Sequence, residues 1–394
     1  MMTEEKGFTT RAVHSGRAHE PVAEEPASVP IYQSAPFIFS DMESFAAVGK
    51  SKIEGGYLYT RWANPTVDAL ARTIASLEGA EASACFASGM GAIHAAVASR
   101  VSAGEHIVSA RQIYGGTFGL FHEYLPRTGI EVSFADITDP AAVAAAFRPE
   151  TRVLYFETIG NPALPVADVD ALVALAHEND VTAILDATFT TPYLFNAVSH
   201  GVDLVVHSAT KYLGGHSDVT AGVVSGSAEA IATIRHLGID YGGCLAPLDA
   251  WLTIRGIQTL ALRMDRICSN AMAVARHLES LGGIERVTYP GLTSHPQHEL
   301  ARKLLPRGFG GMLTFEVAGG VNAGRRVLER VRLASPAASL GGTKTLIVHP
   351  ASITHTQLSR SEREAAGISD GMLRVSVGIE DSVDLIADLE QAVS

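Results

Sequence analysis

A chain of 394 residues that is 47% hydrophobic and 18% charged is long enough to bury a large core and to form more than one domain. Its formal net charge of -12, with no lysine- or arginine-rich block, argues against a nucleic-acid phosphate track or an anionic-membrane patch and favours small-molecule ligands. No apolar run approaches the roughly 20 residues that span a bilayer, and Met1-Met2-Thr3-Glu4-Glu5-Lys6 lacks the basic start and apolar centre of a signal peptide, so a cytoplasmic location is expected.

The first 60 residues carry Pro21, Pro26, Pro30 and Pro36 with weak periodicity, which predicts an extended arm (1–60) that packs on something rather than a globular unit. Near its end, Tyr59-Thr60-Arg61 offers an arginine able to pair bidentately with a phosphate if the arm reaches a neighbour's site. From about residue 82 to 226, short apolar runs alternate with amphipathic ones, the pattern of a mostly parallel sheet wrapped by helices. The predicted strands are 83–87, 106–110, 131–135, 152–157, 182–186, 204–208 and 221–225, with helices over 91–101, 140–147 and 169–179. A ligand crevice belongs at the carboxyl ends of such strands, where Ser88, Glu157, Asp186 and Lys211 fall.

Several of these strand ends carry candidate chemistry. Ala87-Ser88-Gly89-Met90-Gly91 opens a helix, so its backbone N–H groups and the Ser88 hydroxyl can cradle a phosphate. Neither GxGxxG with a following acid nor GxxxxGK[ST] is present, so the dinucleotide and P-loop fingerprints are missing. Tyr114 follows the second strand and places an aromatic ring beside the crevice, able to stack on a planar ring and to donate a proton. Val205-Val206-His207-Ser208-Ala209-Thr210-Lys211 delivers a lysine onto the turn Tyr212-Leu213-Gly214-Gly215, with Ser208 and Thr210 positioned to complete a phosphate cup. A lysine held beside apolar neighbours loses its proton and attacks carbonyls, so Lys211 reads as a Schiff-base lysine. Asp186 precedes it by 25 residues at another strand end. That pair, a lysine for the imine and an acid facing a pyridinium nitrogen, is what pyridoxal phosphate (PLP) chemistry requires.

Beyond Pro247 the pattern turns helical from Leu248 to about Leu281 and stops at Gly282-Gly283. Strands over 312–317 and 372–377 and helices over 323–331 and 382–393 then predict a smaller α+β domain, with the α/β domain spanning 61–255 and the C-terminal one 256–394. His295-Pro296-Gln297-His298 has a proline inside it and Glu299 as its one nearby carboxylate, so no metal site is expected. Cys85, Cys244 and Cys268 form no CxxC pair and are expected to be small buried side chains.

Taken together, Tyr59-Thr60-Arg61, Ser88-Gly89-Met90, Tyr114-Gly115-Gly116-Thr117, Glu157-Thr158-Ile159-Gly160-Asn161-Pro162, Asp186, Ser208-Ala209-Thr210-Lys211-Tyr212, Ser339-Leu340-Gly341-Gly342 and Arg374-Val375-Ser376-Val377-Gly378 resemble the Cys/Met-metabolism family of PLP enzymes, in order and over essentially the whole chain. The resemblance implies the type I PLP-enzyme fold, like that of aspartate aminotransferase. It implies that Lys211 forms the imine with the cofactor, Asp186 pairs with the pyridine nitrogen and Tyr114 stacks on the ring. Ser88, Gly89, Met90, Ser208 and Thr210 would cup the phosphate, with Tyr59 and Arg61 supplied by the partner subunit. Arg374, with Ser339 and Asn161, would hold the substrate carboxylate. A homodimer or homotetramer with shared active sites follows from the same resemblance.

That family includes methionine and cystathionine γ-lyases, cystathionine synthases and acylhomoserine sulfhydrylases. Gly116 stands where dedicated methionine γ-lyases typically have cysteine, and Gly238-Ile239-Asp240-Tyr241 lacks their Lys-Asp pair. Lys344 is more like the sulfhydrylases. Ala351-Ser352-Ile353-Thr354-His355, Gly367-Ile368-Ser369-Asp370-Gly371 and Ile379-Glu380-Asp381 resemble the γ-lyase branch. The expected activity is therefore α,γ-elimination of methionine, cystathionine or a related thioether to 2-oxobutyrate, ammonia and a thiol, with γ-replacement by an acylhomoserine sulfhydrylase or cystathionine γ-synthase as the alternative. A non-catalytic binding module on the same fold would be expected to lose the lysine, the aspartate or the arginine, and all three are present.

Overall fold

The computed structural model describes residues 6–15, 26–51, 56–354 and 359–394. Expectations resting on the Met1-Met2-Thr3-Glu4-Glu5 start, on Pro21 and on His355 lie outside them. The large sheet contains β1 (Ala82–Phe86), β2 (His106–Ala110), β3 (Glu131–Ala135), β4 (Thr151–Glu157), β5 (Thr182–Asp186), β6 (Leu204–Ser208) and β7 (Gly222–Gly226), in the order β1-β7-β6-β5-β4-β2-β3. The pairs from β6 through β3 are parallel, while β7 runs antiparallel to both β6 and β1. The sheet is thus mostly parallel, as the alternation of the sequence predicts.

These strands read as nearly continuous apolar runs because helices cover both faces of the sheet. Leu154, Ile184, Leu185, Val205 and Val206 are fully buried. The helix Pro65–Glu78 packs beside β1 and shows how local chemistry fixes an element. The Asn64 side chain accepts from the Thr66 N–H, Pro65 occupies the first turn, and Gly79 at φ 70° ends it in the left-handed region.

The second sheet comprises β8 (Ile284–Thr288), β9 (Met312–Val317), β10 (Ser335–Pro336), β11 (Leu346–Val348) and β12 (Met372–Ser376), ordered β10-β11-β12-β9-β8. It is antiparallel except between β10 and β11. Its own core joins Val274 and Leu278 to Leu313, Phe315, Leu373, Val375, Leu385 and Leu389.

Three expectations are corrected. The helix foreseen from Leu248 to Leu281 is two helices, Pro247–Ile257 and Leu260–Ser280. Buried Arg263 holds the break: it donates to the Gly256 carbonyl at 2.7 Å and to Thr259 Oγ1 at 3.1 Å. The first 60 residues are not uniformly extended, since Phe8–His14 and Met42–Ser51 are helical and Phe8 and Ala12 are buried in the large core. Cys268 is buried, but Cys85 is only partly buried and Cys244, following the Gly242-Gly243 turn at the surface, is exposed. Among the described residues no helix is long and apolar enough to cross a membrane.

Candidate active site

The carboxyl ends of β4, β5 and β6 and the loops after β1 and β2 open into a cavity of about 470 Å³, closed on its far side by Ser339, Leu340 and Arg374. It collects Ser88, Gly89, Met90, Tyr114, Asn161, Asp186, Ser208, Thr210 and Lys211 from points spread over most of the chain.

Lys211 lies in the turn that leaves β6. Its N–H donates to the Ser208 carbonyl at 3.1 Å, and its own carbonyl accepts from Gly215 at 2.7 Å. Arg263 fixes the same turn by donating to the Tyr212 carbonyl at 2.7 Å. Gly341, at φ +77°, lets the segment 339–341 press on this backbone, because a Cβ there would lie 2.6 Å from the Tyr212 nitrogen. Ser339 is thereby set to accept a 3.0 Å hydrogen bond from Lys211 Nζ. Burial, reinforced by the positive charge of Arg374, lowers the Lys211 pKa to about 8.

Asp186 ends β5 and is 8% exposed. Its Oδ1 accepts from the Thr188 N–H at 2.9 Å and from the Thr188 hydroxyl, and Tyr155 donates to Oδ2 at 3.3 Å. Burial raises its pKa and the Thr188 hydrogen bonds oppose that rise.

Ser88 caps the helix Gly89–Ala98, its hydroxyl accepting from Gly91 at 3.1 Å. Gly89 approaches Ser208 so closely that a Cβ would meet the Ser208 Cβ and Oγ at 2.8 Å. The Thr210 hydroxyl bonds both backbone groups of Ala221, which ties the loop to the entry of β7. Tyr114, half exposed, donates its N–H to Glu157 Oε1 at 2.7 Å. Its ring lies back over Gly116, where a Cβ would be 2.5 Å from Cε1. Arg374, buried in β12, donates from Nη1 to Asn161 Oδ1 at 2.9 Å and from Nη2 to the Ser339 carbonyl at 3.3 Å. Burial brings its pKa down to about 10.

Tyr59 and Arg61 do not join this set within one chain. Tyr59 is 43% exposed on a bridge to Pro36, and Arg61 donates to the Ile239 carbonyl at 2.7 Å in a separate crevice. The histidines His295 and His298 are occupied in holding loops, donating to the carbonyls of Leu164 and Pro290 at 3.0 Å each. Tyr155, Thr188 and Arg263 were not singled out from the sequence, and Glu157 was given no task there. Of these, Thr188 alone had a local signal, a hydroxyl two residues after an aspartate in turn context.

The family model for Cys/Met metabolism PLP-dependent enzymes matches residues 9–394. The chain belongs to this family. It is 45% identical to an L-methionine gamma-lyase of Fusobacterium nucleatum subsp. polymorphum, over 100% of this chain and 99% of that one. It is 42% identical to a cystathionine beta-lyase of Lactococcus lactis subsp. cremoris, over 98% of each. A solved structure of a putative O-acetylhomoserine (thiol)-lyase from Campylobacter jejuni, carrying N'-pyridoxyl-lysine-5'-monophosphate, superimposes with a TM-score of 0.94 at 33% identity, covering 98% of this chain and 100% of that one.

The protein is therefore a PLP-dependent enzyme with the type I fold expected from its sequence. The residues present fit that cofactor. A desolvated amine opens onto the cavity at Lys211, a carboxylate held by three donors lies at its floor, and a ten-residue helix begins at Gly89 against Ser208 with no room for a side chain between them.

Proposed function

We propose that this family member is a carbon–sulfur lyase that carries out α,γ-elimination on L-methionine or a related thioether such as cystathionine, releasing 2-oxobutyrate, ammonia and a thiol. The observation that carries the reading is the convergence of Lys211, Asp186 and the Arg374–Asn161 pair on one cavity, in a chain similar along its whole length to L-methionine gamma-lyases.

PLP, when bound, supplies an electron sink for bonds broken at the substrate α-carbon. Lys211 would anchor it, and Asp186 would keep its ring nitrogen protonated. Ser88, Gly89, Met90, Ser208 and Thr210 would hold its phosphate, and Tyr114 would stack on its ring. Arg374 binds the substrate α-carboxylate, its guanidinium held in plane by Asn161 and the Ser339 carbonyl. Once the substrate amine has displaced it from the cofactor, the freed Lys211 Nζ would take the α proton, with Ser339 Oγ, its hydrogen-bond partner at 3.0 Å, orienting it. A second proton must leave Cβ before the γ-sulfur can depart, Tyr114 would donate a proton to that sulfur, and water would then release the carbon fragment as 2-oxobutyrate and ammonia.

Tyr59 and Arg61 are proposed to serve a partner subunit's cavity, in a homodimer or a homotetramer. The exposed apolar side chains of Ile31, Ile38, Met42 and Phe45 in the same N-terminal stretch support this, because a run of that kind favours burial against another surface.

The test is release of 2-oxobutyrate and methanethiol from L-methionine by the purified protein with PLP and no thiol acceptor. Release is expected. No release from either methionine or cystathionine, with turnover of an acylhomoserine only when sulfide is supplied, would replace elimination by γ-replacement.

A further inference from the structure

One acidic side chain of the cavity has no part in the scheme above. Glu157 closes β4, and the parallel register of β4 and β5 sets it opposite Asp186, so two carboxyl groups stand side by side on adjacent strands. They are 5% and 8% exposed.

The groups around Glu157 treat the two acids differently. The N–H and hydroxyl of Thr188 and the hydroxyl of Tyr155 all donate to Asp186. Glu157 faces the backbone amides of Tyr114 and Asn161, the guanidinium of Arg374 and the carboxyl of Asp186. Arg374 aims Nη1 and Nη2 at Asn161 and Ser339. Two buried neighbouring carboxyl groups do not both ionise without a strong penalty; Asp186 has three donors, two of them hydroxyls, and although the Tyr114 and Asn161 amides and Arg374 draw charge to Glu157, its burial beside Asp186 outweighs them. Burial, and then the proximity of Asp186, push the Glu157 carboxyl well above the usual carboxylate range.

We propose that Glu157 is a positioning residue that works as the neutral acid: it holds the Tyr114 backbone, and with it the ring at the cavity mouth, while leaving the negative charge of the cavity floor on Asp186. The 2.7 Å bond from Tyr114 N–H to Glu157 Oε1 sits where the chain enters the short helix Gly115–Gly119, whose start has no side-chain cap. The contact therefore fixes the Tyr114 backbone at the start of that helix. The inference deepens the proposed reading and rests on its assignments for Tyr114 and Asp186.

Two variants of the cofactor-loaded enzyme test it. Glu157→Gln keeps a carbonyl oxygen for the Tyr114 N–H and cannot ionise, so it mimics the protonated acid. Glu157→Ala removes the acceptor. The infrared difference spectrum between parent and Glu157→Gln at neutral pH is expected to show the carbonyl band of a protonated carboxyl group in the parent. In kinetics, Glu157→Ala is expected to lose about tenfold in kcat, the effect of one lost hydrogen bond to a buried N–H, while Glu157→Gln stays within about threefold of the parent.

A difference spectrum that shows carboxylate bands instead, a Gln variant as impaired as the Ala variant, or an Ala variant equal to the parent would each overturn the proposal. The infrared result needs no substrate, so it decides the state of Glu157 even if methionine and cystathionine prove not to be turned over. Should the Ala variant fail to fold, the Gln variant and the spectrum decide alone.

Discussion

Arg374 Nη1 donates to Asn161 Oδ1 at 2.9 Å, joining residues 213 positions apart and tying β12 of the small sheet to the loop that follows β4 of the large one. The contact orients a guanidinium that would otherwise have several rotamers. Arg374→Lys keeps a positive charge but loses the planar fork, so KM for the amino-acid substrate should rise about 10- to 100-fold with a smaller change in kcat. Steady-state kinetics check this, and an unchanged KM would remove Arg374 from carboxylate binding.

The free amine of Lys211 should govern how the cofactor-free protein takes up PLP. Its pKa is lowered to about 8 by burial and then by Arg374, so the reactive neutral amine is scarce below that pH and dominant above it. The uptake rate, followed by visible absorbance, should climb about tenfold per pH unit below that value and level off above it. Arg374→Met removes the second cause and should move the midpoint upward. Lys211→Ala should give neither the yellow cofactor band nor turnover, and a clean preparation that retained activity would sink the assignment.

Gly89→Ala probes the proposed phosphate cradle. The added Cβ would sit 2.8 Å from the Cβ and Oγ of Ser208, so either the helix start or the loop before Lys211 must move. The strain of such overpacking, about 1–3 kcal/mol, should appear as a roughly tenfold or greater loss of PLP affinity in an absorbance titration. Unaltered affinity would place the phosphate elsewhere.

Beneath the cavity, the His207 side chain pairs with Glu78, and both are essentially sealed from solvent. Removing one partner leaves a buried polar group without compensation. Glu78→Ala should therefore destabilise the fold by about 3–5 kcal/mol in urea unfolding. Replacing both residues by apolar ones of similar volume should cost less than the single change. A loss under about 1 kcal/mol for Glu78→Ala would show that the pair contributes little.

Much of the site was legible because its signals are local. A β-branched run ending in Lys211, a second ending in Asp186 and a serine before Gly89 each declare a strand end or helix start within a few residues, and the structure brings all of them to one cavity. Glu157 also ends such a run. Its neighbour is set by the register of β4 on β5, which no local pattern encodes. The break at Gln258 and Thr259 was hidden for a related reason: periodicity runs through it, and the Arg263 hydrogen bonds that fix it reach back to Gly256 and to the turn after Lys211.

Sequence alone determined which residue types are available and which elements carry them, because helix and strand periodicity, capping and turn chemistry act over a few residues. Tertiary structure decided which groups touch. The 3.0 Å bond between Lys211 and Ser339 and the grip of Asn161 on Arg374 join segments more than a hundred residues apart. So do the lowered pKa of Lys211 and the shielding of Asp186, since burial and the charges of distant segments exist only once the two sheets have packed together.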